Sequence, residues 1–548
     1  MSEPASHVEV QPAATVMLVR DAGGGPGGSL EVLMLRRHPE SVFAADAWVF
    51  PGGRVDDGDA APTPIGAGPS DAEASAALRL PAGGLAYWVA AARECFEEAG
   101  ILLACEKDGK RVSAARAGSL THWRQKPFRE LLEAEDLYLP AGELAYFGHW
   151  ITAPGRSRRF DARFFVALAP EGQRGSNDAT ETVHDVWITP REALERGARG
   201  EIDLVNATQH SLKELARFPE PRAAFDYARA IPEIEENRAC WAQGKQGPKI
   251  FRRQDPPYFE VHWCDPEETG ASTYDIVAGE PKRLDRWVTR ITAPNPGLMT
   301  GPGTNSYLIG GVAVIDPGPA LDSHVEKILN EAKDLRWILC THTHLDHSPA
   351  AAILREKTGA KVLGRPAPAG QDATFKPDFV LEDGQRVQID TMSGSVSLRA
   401  IHTPGHASNH LCYLLEPTRM LFTGDHVMQG STVVINPPDG DMRVYLQSLE
   451  RLLDEDLAII APGHGYLIGA PHKELRRLVA HRLNRERKVV AALERLEHPS
   501  LEEMLPLVYD DVPERVHRVA ARSLTAHLDK LLAEGAVRLE ESRYTLVR

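Results

Sequence analysis

The sequence predicts a multidomain chain, α/β in part and α+β in part, and three observations carry that reading. Its 548 residues exceed a single domain severalfold at roughly 150 residues per domain. Across residues 284–475 short apolar runs alternate with helical stretches, the signature of a layered α/β architecture. Beyond 475 the pattern turns helical and closes on two short extended runs.

Residues 11–241 form the first expected domain. Stretches 13–19 and 31–35 read as strands, with the Gly-rich 22–28 as a hairpin loop between them. The Pro/Gly/Ser/Ala-rich stretch 60–84 reads as an inserted, flexible loop, and the apolar run from 85 as the start of a helix. Residues 242–283 lose periodicity, are punctuated by Gly244, Gly247, Pro248, Pro256, Pro257 and Pro281, and read as a linker. Within it, Tyr258 to Trp263 reads as a strand. In the domain 284–475, residues 305–309, 312–315 and 337–340 read as strands, and 324–331 and 349–357 as helices. In 476–548, Val519, Leu524, Leu528 and Leu531 recur at helical spacing. Gly535 ends that helix, and 537–539 with 544–547 form a hairpin, the outline of a winged helix.

Hydrophobic residues at 43% and charged residues at 25% are ordinary globular usage and exclude wholesale disorder. A formal net charge of −15 excludes a protein that coats nucleic acid non-specifically. The tail from Pro471 has a slight basic excess, with Lys473, Arg476, Arg477, Arg482, Arg485, Arg487 and Lys488 in one run. Such a run either steers a polyanion or is a solvated helix face. Six scattered cysteines without a CxxC pair fit a reducing compartment. Residues 1–12 lack a basic start and an apolar core, and no run reaches 18 apolar residues. The expectation is a cytoplasmic protein without a membrane partner.

His342-Thr343-His344-Leu345-Asp346-His347 follows the buried-strand run 337–340, at the strand edge where α/β sheets bind ligands. Imidazole and carboxylate suit zinc and other borderline metals. Buried in a core, each of these groups would need a polar partner, so ligation outweighs a structural role. Thr403-Pro404-Gly405-His406, Thr423-Gly424-Asp425 and Pro462-Gly463-His464 each end an apolar run in a glycine turn beside one His or Asp. Four strand ends therefore deliver seven candidate ligands.

This order resembles the metallo-β-lactamase superfamily over 284–472. The resemblance implies an αββα sandwich. It places His342, His344 and His406 on a first metal, Asp346, His347 and His464 on a second, and Asp425 between them. Two zinc ions are implied, with Mn2+ or Fe2+ as substitutes, together with a water activated between the metals and oriented by the catalytic Asp346. Gly303 to Leu308, and the stretch from His481-Arg482 to Glu486-Arg487, resemble a branch with a C-terminal winged helix. The best-known type in that branch is a mitochondrial endoribonuclease that holds single-stranded RNA between its two domains. Thr304, Asn305 and His410 are the substrate-contact candidates, while His402 and His426 lack ligand spacing.

A second constellation lies in the first domain. Arg93-Glu94-Cys95-Phe96-Glu97-Glu98-Ala99-Gly100-Ile101 puts Glu94, Glu97 and Glu98 at i, i+3 and i+4 on one helix face. Their repulsion is relieved by a hard cation, Mg2+ or Mn2+. The stretch resembles the second half of the Nudix box, whose fixed positions recur by chance at about one start in a million. Trp48-Val49-Phe50-Pro51-Gly52-Gly53, Phe164 to Ala167 and Glu181 to Leu194 extend the resemblance. It implies an α/β/α sandwich that hydrolyses a diphosphate, with metal on the glutamates and Arg93 orienting them. The box also calls for a Glu eight residues before Arg93, where this chain has Leu85 after the 60–84 insertion. A coenzyme A diphosphatase-like subgroup shares that insertion and that absence, and Arg36-Arg37-His38-Pro39 and Phe43 resemble it as well.

The leading expectation is a bifunctional metal-dependent hydrolase. One site would cleave a phosphodiester or thioester, with single-stranded RNA a candidate partner of 284–548. The other would cleave a nucleoside diphosphate-linked substrate such as a coenzyme A compound. The alternative is one hydrolase regulated by a non-catalytic, ligand-sensing Nudix domain.

Overall fold

The computed structural model describes residues 8–22, 29–41, 44–175 and 182–547. Residues 23–28 of the expected hairpin loop, Phe43 and Glu181 lie outside that set. The chain divides into two compact units, Met1–Cys240 and Trp241–Arg548.

Met1–Cys240 is built on a mixed sheet. Strand Val10–Asp21 pairs antiparallel with Leu30–Arg37 and parallel with Arg159–Leu168. Side chains alternate across a strand, and both faces here are apolar. Val16, Leu18, Leu33 and Leu35 face one core, which includes Trp88, Phe96 and Leu131. Met17, Val19, Val32 and Met34 face another, with Leu212, Leu215 and Phe225 from two helices. Helices on both faces make the expected α/β/α sandwich.

The 60–84 insertion is not a bare loop. It carries the helix Asp71–Leu78, closed by a Ser70–Glu73 capping box, whose two reciprocal hydrogen bonds satisfy orphan N–H groups. Composition flagged the Pro and Gly but not this cap. The acidic helix, Leu85–Ala99, follows and stops at Gly100, whose φ is +66°.

Trp241–Arg548 stacks a seven-stranded sheet on a five-stranded one among the described residues. Tyr307, Ile315 and Leu339 of the first sheet meet Leu398, Tyr413 and Phe422 of the second in a shared core. Helices Asp322–Glu331 and Ala350–Thr358 cover the outer face of one sheet. Helix Met442–Arg451 and the start of helix Pro471–Arg495 cover the other. This is the αββα sandwich.

Two expectations about boundaries change. Residues 242–283 do not behave as a linker, because Glu260 within them is wholly buried and bonds to Lys282, Arg290 and the Leu467 N–H. The expected strand at Tyr258–Trp263 is the helix Tyr258–Cys264, where this tertiary pairing overrides the strand preference of aromatic and β-branched residues. The expected break at 475/476 falls inside one continuous helix, Pro471–Arg495. Its Leu475 and Leu478 join the sandwich core. Val489 and Leu493 join the winged-helix core, with Leu524, Leu528, Val537 and Tyr544. Strands Val537–Glu540 and Arg543–Leu546 form the wing. No helix of the described residues is long and apolar enough to cross a membrane.

Candidate metal centres

In Trp241–Arg548 the ligand candidates arrive from the ends of four strands: Trp337–Leu339, Gly394–His402, Met420–Gly424 and Ile459–Pro462. The turns demand glycine. Gly405 has φ +132°, and a Cβ there would lie 2.4 Å from Tyr445 Cα. A Cβ on Gly463 would lie 2.8 Å from Asp425 Oδ1.

The side chains gather as two sets, His342/His344/His406 and Asp346/His347/Asp425/His464. His344 Nδ1 and His406 Nε2 are 3.0 Å apart. His347 Nε2 lies 3.4 Å from both Asp346 Oδ2 and Asp425 Oδ1. His464 Nε2 lies 3.4 Å from Asp346 Oδ2 and 3.3 Å from Asp425 Oδ1. Tetrahedral bonds of about 2.0–2.1 Å require ligand separations of roughly 3.3 Å. Asp425 Oδ2 turns the other way, 3.9 Å from His406 Nε2, so one carboxylate spans both sets.

The ring nitrogens fit metal ions. His347 Nδ1 meets Asp316, His406 Nδ1 meets the Val434 carbonyl, His464 Nδ1 meets the Gly303 carbonyl, and His342 Nδ1 meets Thr341 Oγ1. That leaves Nε2 of His342, His347 and His464 buried without a hydrogen-bond partner, an arrangement that costs free energy unless something else binds there. Electrostatics separate the two sets. Burial pushes His342, His344 and His406 below their ordinary pKa, His344 to about 4. Burial also opposes charge on His347 and His464, but Asp346 and Asp425 outweigh it, and His464 rises to about 9. The second set thus attracts positive charge, which a divalent ion would supply in place of protons.

The substrate-contact candidates land elsewhere. Thr304 and Asn305 are fully buried. Asn305 Nδ2 donates to the Pro462 and Gly465 carbonyls, and the Asn305 N–H donates to that of Gly463. Together with Thr304, bridged to His464, they hold the His464 turn rather than face a substrate. His410 is fully buried, with its ring stacked on His342 at 5.1 Å. It backs the centre because Thr403 Oγ1 ties down its Nδ1. His426 is buried behind it against Tyr445. The basic run is largely engaged internally. Arg482 donates to the Val433 carbonyl and Arg485 to the Val508 carbonyl and Asp511. Lys488 pairs with Asp510 and Arg477 with Glu474.

Sequence reasoning missed Asp316. It accepts from the Thr341 N–H at 2.7 Å and from Thr341 Oγ1 at 2.8 Å, and it meets His347 Nδ1 at 3.0 Å. The signal was present, since Asp316 ends an apolar strand before Pro317-Gly318, as the ligands end theirs.

In Met1–Cys240, Arg93 Nη1 donates to Glu94 Oε1 at 2.8 Å and to Glu97 Oε2 at 2.9 Å. Glu98 Oε2 accepts from the Gly52 N–H at 3.0 Å. A Cβ on Gly53 would lie 2.3 Å from Glu94 Oε1, so the Gly52-Gly53 backbone rests directly on the carboxylates. Burial raises the Glu97 pKa against the pull of Arg93. A cavity of about 430 Å3 lined by Arg79, Trp88 and Tyr146 lies away from these groups. Trp88 is nine residues before Glu97, on the opposite helix face.

These folds and sites define a hydrolase with metal-dependent chemistry. A family model for the metallo-beta-lactamase superfamily matches residues 299–464. One for the beta-lactamase associated winged helix domain matches 500–544, and one for the NUDT19 Nudix domain matches 62–217. The chain is 31% identical to the beta-lactamase-like protein 2 homolog of Drosophila melanogaster, over 47% of this chain and 92% of that protein. It is 32% identical to an atrochrysone carboxyl ACP thioesterase of Aspergillus chevalieri, over 44% of this chain and 78% of that protein. Among solved structures it is similar to a NUDIX hydrolase from Alicyclobacillus acidocaldarius, at 26% identity and a TM-score of 0.34, covering 40% of this chain and 97% of that one. The chain belongs to the metallo-β-lactamase superfamily and carries a Nudix domain and a winged helix in the same polypeptide.

Proposed function

We propose that Trp241–Arg548 is a two-metal thioesterase and that Met1–Cys240 is a Mg2+- or Mn2+-dependent diphosphatase acting on a nucleoside diphosphate-linked substrate such as a coenzyme A compound. The observation that carries the first half is the partner set of the carboxylates. Among the described residues Asp346 and Asp425 pair only with histidines. Two metals can themselves clamp phosphoryl oxygens, and phosphoryl transfer commonly adds Arg or Lys to them. A thiolate, from a thiol of pKa about 8.5, leaves without such a clamp. The thioesterase name of the Aspergillus chevalieri relative supports the same reading.

Zinc ions, when bound, supply a water with pKa lowered to about 7 and polarise the attacked carbonyl. His342 Nε2, His344 Nδ1 and His406 Nε2 would hold one ion, and Asp346, His347 Nε2 and His464 Nε2 the other, with Asp425 shared. Asp346, whose side chain is 28% exposed, orients the attacking water and takes its proton. Leu345 stands exposed between ligands, and Leu298 and Met299 are exposed on the loop leading to Gly303. These exposed apolar side chains are available to an acyl group. In Met1–Cys240, Glu94, Glu97 and Glu98 would hold the hard cation, with Arg93 orienting them.

The second reading makes Met1–Cys240 a ligand-sensing unit, and Leu85 in place of the box glutamate favours it. One experiment tests both. The full chain, Asp425→Ala and Glu97→Gln are offered an acyl-coenzyme A, coenzyme A and single-stranded RNA. Asp425→Ala is expected to abolish thiol release alone, and Glu97→Gln diphosphate cleavage alone. RNA cleavage lost in Asp425→Ala, without thiol release by the parent, would replace thioester by phosphodiester. Coenzyme A binding without turnover would make Met1–Cys240 a sensor.

A further inference from the structure

We infer that Asp59, in the turn that leads into the insertion, is a positioning residue of the diphosphatase site, engaging Arg93 where the chain lacks the box glutamate; the inference rests on the diphosphatase reading of Met1–Cys240. Leu85 is the first residue of the acidic helix. At 1.5 Å per residue it starts about 12 Å from Arg93 along the axis, and its side chain packs on the apolar core. Nothing at position 85 reaches the guanidinium.

Asp59 does reach it. The residue is 4% exposed and sits in the short turn Asp57–Ala60. Its Oδ1 accepts from Arg93 Nε and its Oδ2 from Arg93 Nη2, each at 2.9 Å. The turn is itself locked, because Asp59 Oδ2 also accepts from the Asp56 N–H at 2.8 Å. One edge of the guanidinium is thus fixed by Asp59 and by the Arg54 carbonyl at 2.8 Å. The other end, Nη1, is left for Glu94 and Glu97. A bidentate Arg–carboxylate pair fixes orientation as well as distance, so Asp59 sets the direction in which Arg93 presents itself to the two glutamates.

Charge points the same way. With the Asp59 carboxylate in place, the single positive charge of Arg93 is divided between Asp59 and the glutamates, which stay net negative toward a cation. With an uncharged side chain there, that charge falls on Glu94 and Glu97 alone, and the guanidinium also loses its anchor. Both effects weaken a divalent cation at the acidic helix. The turn Asp57–Ala60 therefore supplies the anchoring carboxylate from outside the helix.

The test is made on the full chain with its histidine centre filled with Zn2+, using Mn2+ as the probe and the spin-resonance signal of free Mn2+ as the readout. Glu97→Gln identifies the binding component that belongs to the acidic helix. Asp59→Asn is expected to weaken that component by roughly tenfold or more, the usual effect of removing a partner that orients a metal ligand. Asp59→Glu is expected to restore most of it. A parent-like Mn2+ affinity in folded Asp59→Asn overturns the inference. Should that variant not fold, Arg93→Lys removes the same fork from the other side, and undiminished Mn2+ binding there is equally fatal. If Glu97→Gln removes no Mn2+ from the parent, the diphosphatase reading itself fails, a result distinct from equal binding by parent and Asp59→Asn.

Discussion

His464 Nε2 and His347 Nε2 converge on a single oxygen, Asp425 Oδ1, at 3.3 and 3.4 Å, while Asp425 Oδ2 faces His406. A carboxylate divided this way is what two ions need to share one ligand. Asp425→Ala is expected to lower bound zinc from two ions per chain to one or fewer, measured by elemental analysis after dialysis. Thiol release should fall by roughly two orders of magnitude or more, since nucleophile and electrophile are both set by the pair. Two retained zinc ions in this variant would end the bridging assignment.

Asp316 touches no candidate ion, yet it holds the His347 ring through Nδ1 and the Thr341 backbone beside His342. Partners of this kind fix the tautomer that points Nε2 at a metal. Asp316→Asn is expected to weaken zinc by about 10–100-fold, read by competition with a chromogenic chelator. His464, held by the Gly303 carbonyl instead, should keep its place, so the loss should fall short of that in His347→Ala.

The seven centre residues were legible because four crowd within six positions past one apolar run and His406, Asp425 and His464 each follow an apolar run and a glycine turn, local patterns that survive in one dimension. Asp316 also follows an apolar run but stood alone, with its glycine after it and no second ligand type beside it. Thr304, Asn305 and His410 were misread because the motif marks where a chain passes, not which way a side chain turns. Asn305 turns toward the Pro462 and Gly465 carbonyls 157 and 160 residues away. Asp59 left no trace in the sequence, since its partner Arg93 is 34 residues distant across a stretch whose composition reads as loop. Glu260 was hidden for the same reason, because its partners Arg290 and Leu467 lie beyond the expected linker.

Arg482 stood in the sequence as one charge of a basic run, but it is 2% exposed. It donates to the Val433 carbonyl and lies 5.3 Å from the Tyr445 ring centroid. A charged hydrogen bond of about 1.5–3 kcal/mol and a desolvated cation–π contact of about 1–2 kcal/mol are lost together in Arg482→Ala. Destabilisation of about 2–4 kcal/mol is expected by urea titration, without a change in the salt dependence of thioester turnover. A steep loss of substrate affinity between 50 and 200 mM salt in the parent, of the kind phosphate contacts produce, would instead return the run to a polyanion role.

Glu260 joins Lys282 and Arg290 in a site where Glu260 and Arg290 are almost wholly buried. Burial opposes the charge on Glu260, but Arg290 and Lys282 outweigh it and hold its pKa below the ordinary 4.5. Glu260→Gln leaves Arg290 buried without its counter-charge, and breaking one side of such a pair destabilises by about 3–5 kcal/mol. The sign with pH follows from linkage. A carboxylate whose folded pKa is depressed contributes its full stability above the unfolded value, and loses it as pH falls through the folded value. The gap between parent and Glu260→Gln should therefore be widest and flat from pH 5 to 7 and should narrow below 4.5, as the unfolded parent takes up a proton that the folded parent resists. Denaturant midpoints at pH 7, 5, 4 and 3 read this directly. A gap that stays constant down to pH 3 would show that folding does not lower the Glu260 pKa, and a gap that widens on acidification would contradict the pairing altogether.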